Sequence, residues 1–236
     1  RLLQTGKFND KKILLIDKEP KITNDRTWCF WEKDTGYFEP VVFHSWEQLC
    51  FYSRDHCALY QIDPYRYKII RGEDFYKYCF DLISRFSNVT IQYSNVEAIH
   101  ANKMGASLKT NDEVYQAEYI FNSIIFEQPQ LSQKHFYLLQ HFKGWVIETQ
   151  KPAFNPAQAT LMDFRVPQQH GTTFVYVMPF SETKALVEYT LISKSLLKRE
   201  DYDMGLKDYL HHFLNLQDYK VLHEEFGSIP MTNYPF

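Results

Sequence analysis

Residues 160–190 read TLMDFRVPQQHGTTFVYVMPFSETKALVEYT, and two runs in this stretch set the fold class. Residues 174–180 and 185–192 are rich in β-branched, aromatic and aliphatic side chains, and Ser181-Glu182-Thr183-Lys184 separates them. That pattern predicts two antiparallel strands joined by a short polar turn. In the second run Leu186, Glu188 and Thr190 share one face, while Ala185, Val187, Tyr189 and Leu191 share the other. Glu188 thus interrupts an apolar strand. If its face is covered, burial disfavours the ionised form and raises its pKa, the property a general acid needs near neutral pH. If that face is open to water, Glu188 is the polar half of an ordinary half-buried strand. Upstream, Asp163 and Arg165 fall two residues apart on one side of an extended segment. They form either a simple ion pair or a polar pair beside the same pocket, and spacing does not choose.

Working outward, residues 136–149 predict a longer strand, and residues 199–216 return to helical period with Tyr202, Leu206, Tyr209, Leu210 and Phe213 on one side. Towards the N-terminus, KKILLID (residues 11–17) is an apolar run that ends in an acid and is stopped by Pro20, as expected of a parallel strand in an α/β sheet. In dinucleotide-binding folds an acid at such a strand end accepts from the adenosine ribose, and Asp17 occupies that position. The strand, G-x-G-x-x-G turn and helix that precede it in such a unit are not among residues 1–9, so the expectation is a chain beginning inside a βαβ unit. The C-terminus likewise lacks a closing element, which makes a fragment of a longer protein the expectation.

NDRTWCFW (residues 24–31) predicts a loop with three aromatics, closing over a cofactor or an apolar ligand, with Arg26 available to a phosphate. Phe75, Tyr78, Cys79, Leu82 and Phe86 recur at helical spacing and predict an amphipathic helix. Residues 89–123 predict a small antiparallel meander with turns at residues 102–105 and 111–112.

Composition narrows the function classes. A chain of 236 residues with net charge −3 and no Lys/Arg block has no general electrostatic attraction for nucleic acid. The four cysteines show no C-x-x-C spacing and His223 has no second histidine at H-E-x-x-H spacing, so no metal is expected. No apolar run reaches the length of a membrane span and no signal peptide is recognisable in these residues. The 40 aromatic residues (19 Phe, 17 Tyr, 4 Trp) form core in most cases; some are available to line a large apolar pocket, where ring faces stabilise a cation.

LLIDKEP, NDRTWCFW, LLQHFKGWVIE, LMDFR, FVYVMPFS with ALVEYT, and GSIPMT occur in this order along the chain. In this respect the chain resembles the bacterial lycopene beta-cyclases over nearly its whole length. The resemblance implies a mixed fold of the aromatic-hydroxylase flavoprotein type: part of an FAD-binding Rossmann-like domain with a strand-rich insertion in residues 1–130, and an antiparallel substrate sheet with a helix in residues 131–236. It implies cyclisation of lycopene ends to β-rings, giving γ- and β-carotene, with reduced FAD present and NADPH or NADH as reductant. Lycopene and other acyclic carotenoids are the implied substrates, met at the cytoplasmic side of the bacterial membrane by peripheral association.

By the same resemblance Glu188 is the proton donor or cation stabiliser and Asp163 an orienting acid. Asp17 and Arg26 contact the cofactor, and Trp28, Phe30, Arg165, Tyr176 and Thr190 line the substrate site. The glycine-rich phosphate turn and a C-terminal flavin segment are missing, so residues 1–236 alone are expected to be inactive. Two readings stand beside this one: another flavoprotein of the same fold, a monooxygenase or isoprenoid reductase, and a carotenoid-binding module without chemistry. Flavin reoxidation on turnover identifies the first, binding without product the second.

Overall fold

A computed structural model describes residues 1–24, 26–102, 105–126 and 129–235. The centre of the turn expected at residues 102–105 lies outside them. Contacts divide the chain into two discontinuous units, Arg1–Asn24 with Gly72–Pro129, and Asp25–Arg71 with Gln130–Phe236. Residues 26–71, expected in the first domain, are therefore packed with the second.

In the first unit β1 (Ile13–Asp17) pairs in parallel with β7 (Val89–Tyr93), the register running from Ile13 opposite Val89 to Asp17 opposite Tyr93. Asn88 secures the start of this pair: its side-chain amide donates to the carbonyls of Phe8 and Lys11 at 2.9 and 2.8 Å. Helix α1 (Gly72–Ile83) begins where the Asn24 side chain accepts from the Gly72 N–H at 2.8 Å. The meander is smaller than its sequence pattern suggests. It comprises β8 (Val96–Asn102), β9 (Gly105–Thr110) and β10 (Val114–Ala117), because residues 89–93 are taken into the parallel pair with β1 instead.

The second unit is built on a seven-stranded sheet. Its strands are β4 (Gln48–Ser53), β5 (His56–Gln61), β11 (Tyr137–Thr149), β12 (Gln158–Asp163), β13 (Thr172–Pro179), β14 (Lys184–Ser193) and β15 (Tyr219–Thr232). They lie in the order β15-β11-β14-β13-β12-β4-β5, antiparallel except for β12 against β4. One face carries α2 (Arg199–His212), whose buried Tyr202, Leu206, Tyr209 and Leu210 meet Val187, Tyr189 and Leu191 of β14 and Val175 and Val177 of β13. The opposite face packs against a three-stranded sheet of β2 (Thr27–Glu32), β6 (Arg66–Arg71) and β3 (His44–Trp46), through Trp46, Tyr67, Ile69 and Cys29 against Met178, Leu186 and Ala159. The expected loop at residues 24–31 is thus largely strand β2. Its alternation sends Cys29 inwards against Met178, with the two sulfurs 3.5 Å apart, and pairing with β6 satisfies its backbone.

The central hairpin follows the sequence closely. β13 and β14 pair from Thr172 opposite Ile192 to Pro179 opposite Ala185. The Ser181 hydroxyl accepts from the N–H groups of Thr183 and Lys184 at 3.2 and 3.0 Å, a local side-chain bond that favours the turn. Both faces of β14 are covered, so Glu188 is not the water-facing half of an amphipathic strand.

Candidate active site: a carboxyl pair across Gly144

Glu188 lies on the face of β14 that meets the small sheet. Reading across the strands at its level gives one row: Glu225 on β15, Gly144 on β11, Glu188 on β14 and Tyr176 on β13. The two glutamates are on strands that are not neighbours. What lets their side chains converge is the absence of a side chain between them. A Cβ added to Gly144 would stand 2.9 Å from Glu225 Cγ and 3.0 Å from Glu225 Oε1, closer than carbon atoms normally approach. In the adjacent row the relation is reversed: Gly227 of β15 leaves room for the Phe142 ring of β11, whose Cζ would lie 2.4 Å from a Cβ there.

Both carboxyl groups are buried, Glu188 to 9% exposure and Glu225 to 8%. Each has one fixed hydroxyl donor: Thr190 Oγ1 to Glu188 Oε1 at 2.7 Å, and Thr27 Oγ1 of β2 to Glu225 Oε2 at 2.8 Å. Glu225 Oε1 is buried and receives no N–H or O–H from other side chains or backbone among the described residues. A carboxylate oxygen can only accept, so a proton on Glu188 is the donor that would complete this site. Burial, and then the like charge of Glu225, push the Glu188 carboxyl up to about 8. Burial also raises Glu225, opposed by its hydrogen bonds from Thr27 and with Glu188 and, least, by the charge of His223.

The other ionisable neighbours stay neutral. Cys29 is pushed up to about 12, first by burial and then, more weakly, by the charges of Glu188 and Glu225. Burial also raises the phenols of Tyr67 and Tyr176, with Glu188 adding to both. The next row places Phe142 and Phe174 on either side of Thr190. The site is therefore a buried carboxyl pair in an apolar, aromatic setting.

The remaining residues singled out from sequence are dispersed. Tyr176 and Thr190 belong to this face, next to Glu188. Asp163 does not, because β12 carries one extra residue between Thr160 and Asp163 relative to β13, and this bulge turns Asp163 to the α2 face opposite Val175. There it is fully buried, with Oδ1 accepting from Arg165 Nε at 2.8 Å and Oδ2 from Arg165 Nη2 at 2.5 Å and Tyr209 Oη at 2.8 Å. Arg165 in turn lies over the rings of Tyr52 and Phe213. Trp28 and Phe30 alternate with Cys29 and so face away from the carboxyl pair.

Arg26 is exposed just before β2 in the second unit. Asp17 belongs to the first unit; its Oδ1 accepts from the Glu19 N–H at 3.3 Å and pairs with Lys21 Nζ at 3.2 Å. Sequence reading missed Glu225, Gly144 and Thr27. Gly144 was the available signal, since a glycine inside a long strand marks close approach of another group.

Among solved structures, a geranylgeranyl bacteriochlorophyll reductase-like protein from Thermoplasma acidophilum is similar over 92% of this chain and 60% of its own, with a TM-score of 0.61 and 14% identity. A flavin-dependent brominase is similar over 95% of this chain and 62% of its own, with a TM-score of 0.58 and 11% identity. The fold class is accordingly the one seen in these proteins, a flavin-dependent enzyme among them: mixed, with antiparallel sheets. Within that class the lycopene cyclase protein family model matches residues 4–236, and the chain belongs to this family. A curated relative, the lycopene beta-cyclase of Pantoea ananas, is 25% identical over 94% of the chain, which spans 56% of that relative's length.

Proposed function

We propose that the protein catalyses the acid-initiated cyclisation of lycopene ends to β-rings and that Glu188 is the proton donor. The observation that carries this reading is a glutamate buried on an apolar strand face whose carboxyl keeps its proton into the neutral range. Protonated Glu188 adds its proton to the terminal double bond and leaves a tertiary carbocation. The neighbouring double bond closes the ring, and loss of a ring proton completes an isomerisation with no net redox change. Such a site needs an acid, exclusion of water and stabilisation of positive charge. Burial of Glu188 and Thr190 supports the first two requirements, and the rings of Phe142, Phe174 and Tyr176 support the third.

FAD is the cofactor of this reading; when bound and reduced, with NADPH or NADH as the source of electrons, it would supply negative charge that stabilises the cation. Asp17 fits a role in holding it: a 38% exposed carboxylate at the carboxyl end of a parallel strand has the acceptor chemistry a ribose hydroxyl requires. Arg26 is assigned to a phosphate or flavin contact on charge alone. Asp163 and Arg165 are assigned to anchoring α2 against the sheet, and Trp28 and Phe30 to packing on the outer face of β2.

Lycopene dissolves in membranes, and we place the enzyme at the cytoplasmic membrane surface as a peripheral protein. Among the described residues no helix is long and apolar enough to cross a membrane. The test is pigment chromatography of lycopene-accumulating cells expressing the full-length gene, with Glu188→Gln in parallel. Cyclic carotenoid from the wild type and a loss of 100-fold or more in the variant, about the contribution of a general acid, is the expected outcome. Normal cyclisation by Glu188→Gln places the acid elsewhere. Untouched lycopene with well-expressed wild type removes the cyclase reading.

A further inference from the structure

We propose that Glu225 is a positioning residue of the acid site, holding one proton jointly with Glu188 across Gly144, so that the pair rather than Glu188 alone stores and recovers the proton. This inference rests on the cyclase reading for the identity of the substrate, but the sharing of the proton stands on geometry. Three observations carry it. Glu188 and Glu225 converge over a glycine, and a Cβ at that position would collide with Glu225. Each carboxyl has one hydroxyl donor, Thr190 for Glu188 and Thr27 for Glu225, which fixes its outer oxygen. The inner oxygen of Glu225 is buried and lacks a donor unless Glu188 carries a proton.

The groups around the pair supply one opposing charge, that of His223, and it is the weakest of the influences on Glu225. Facing Glu188 are Tyr176 from β13, Cys29 from β2 and Tyr67 from β6, all held neutral. His223, two residues from Glu225 on β15, is exposed. Two carboxylates in such a setting cannot both ionise readily, so the resting pair keeps one proton and one negative charge. Thr190 and Thr27 each stabilise the charged form of their own glutamate, and the charge of His223 further favours ionised Glu225, which leaves the proton on Glu188.

The cycle balances without an outside acid or base. Glu188 gives its proton to the terminal alkene carbon, whose π pair becomes the new C–H bond, and a pair of carboxylates remains opposite the carbocation. Ring closure moves the cation by forming one C–C bond from the next π pair. The C–H pair of the ring carbon then becomes the ring double bond, and its proton returns to the doubly charged pair. The site ends as it began. Like-charge repulsion that made the first transfer harder drives the last.

The experiment is an infrared pH titration of the full-length flavoprotein, following the band of a protonated carboxyl, together with the pH profile of lycopene cyclisation. In the wild type the band is expected to vanish with a midpoint near 8 and to be missing in Glu188→Gln. Glu225→Gln removes the like charge and lowers the midpoint by about one unit or more, and Thr27→Val makes Glu225 more basic and raises it. The alkaline limb of cyclisation moves in the same directions.

Opposite shifts from two variants are not the signature of a general structural defect. A midpoint unmoved by Glu225→Gln overturns the inference, and if that variant does not fold, an unmoved midpoint in Thr27→Val does so. Shifts of the band in a protein that leaves lycopene untouched would uphold the shared proton and reject the cyclase reading. Cyclisation with unmoved midpoints would do the reverse.

Discussion

The two faces of the seven-stranded sheet treat buried charge in opposite ways. On the α2 face the buried charged side chains Asp163 and Lys143 each meet a complement, and so does His141. Asp163 has Arg165 and Tyr209, and Lys143 pairs with Asp203 and with Glu224. His141, kept neutral by burial, bonds Tyr202 Oη through Nδ1 at 2.5 Å and Ser193 Oγ through Nε2 at 2.9 Å. On the other face Glu188 meets Glu225, phenols and a thiol. A carboxylate bonded to a guanidinium has no proton to give, while one set against another carboxylate in an apolar layer retains its proton. The contrast puts the paired charges on one face and the proposed acid chemistry on the other.

The largest test of that contrast is the pH dependence of stability. Folded Glu188 titrates near 8, against an ordinary value of 4.5 that the unfolded chain approaches. Between those values the folded state binds the extra proton, so its contribution is complete below about 4.5 and is lost as pH rises through about 8. Denaturant unfolding of the wild type should weaken by up to about 1.4 kcal/mol per pH unit in that window, on the order of 3–5 kcal/mol in all, and Glu188→Gln should flatten the slope. An equally steep slope in the variant would remove Glu188 as the titrating group.

Asp163→Asn should act at constant pH instead. It breaks a buried ion pair, but Arg165 remains 37% exposed and can be solvated, so a loss of about 2–3 kcal/mol is expected rather than the larger cost of a sealed pair. Thermal unfolding measures it. Glu188→Gln at pH 8 should be neutral or stabilising by the same assay, and a loss in both variants would erase the distinction between the faces.

Gly144→Ala sharpens the comparison locally. Its methyl group must displace Glu225 or Leu186 Cδ1, the latter 3.0 Å away, at about 1–2 kcal/mol. It should also weaken the coupling of the two carboxyls, visible as a lower titration midpoint for Glu188. The smallest effect is expected where charge is paired but exposed. Lys184 and Glu148 face each other across β14 and β11 at 3.5 Å, with side chains 39% and 45% exposed. Lys184→Met should change stability by less than about 0.5 kcal/mol, as water already screens the pair.

The hairpin at residues 172–193, the parallel strand ending at Asp17 and both amphipathic helices were legible because each is a local pattern with its own period. Strand β2 was not, since TWCFWE reads as an aromatic loop until β6 is available to pair with it. Glu188 was identified as a carboxylate inside an apolar run, and whether its face was covered could not be read from β14 alone. Asp163 sits at the parity of Ala159 and Leu161, which would place it on the Glu188 face of a regular strand. One inserted residue in β12 reversed that, and a bulge is defined by the partner strand rather than by its own sequence.

Sequence by itself determined the family, the mixed α/β and antiparallel class, and the glutamate on which the chemistry is proposed to rest, because these reside in residue order and short-range periodicity. Tertiary structure alone decided that Glu188 has Glu225 as its companion, 37 positions away and two strands over. That meeting requires strand order, register and a missing side chain at Gly144 to coincide, and the like charge that holds the proton follows from their coincidence in space.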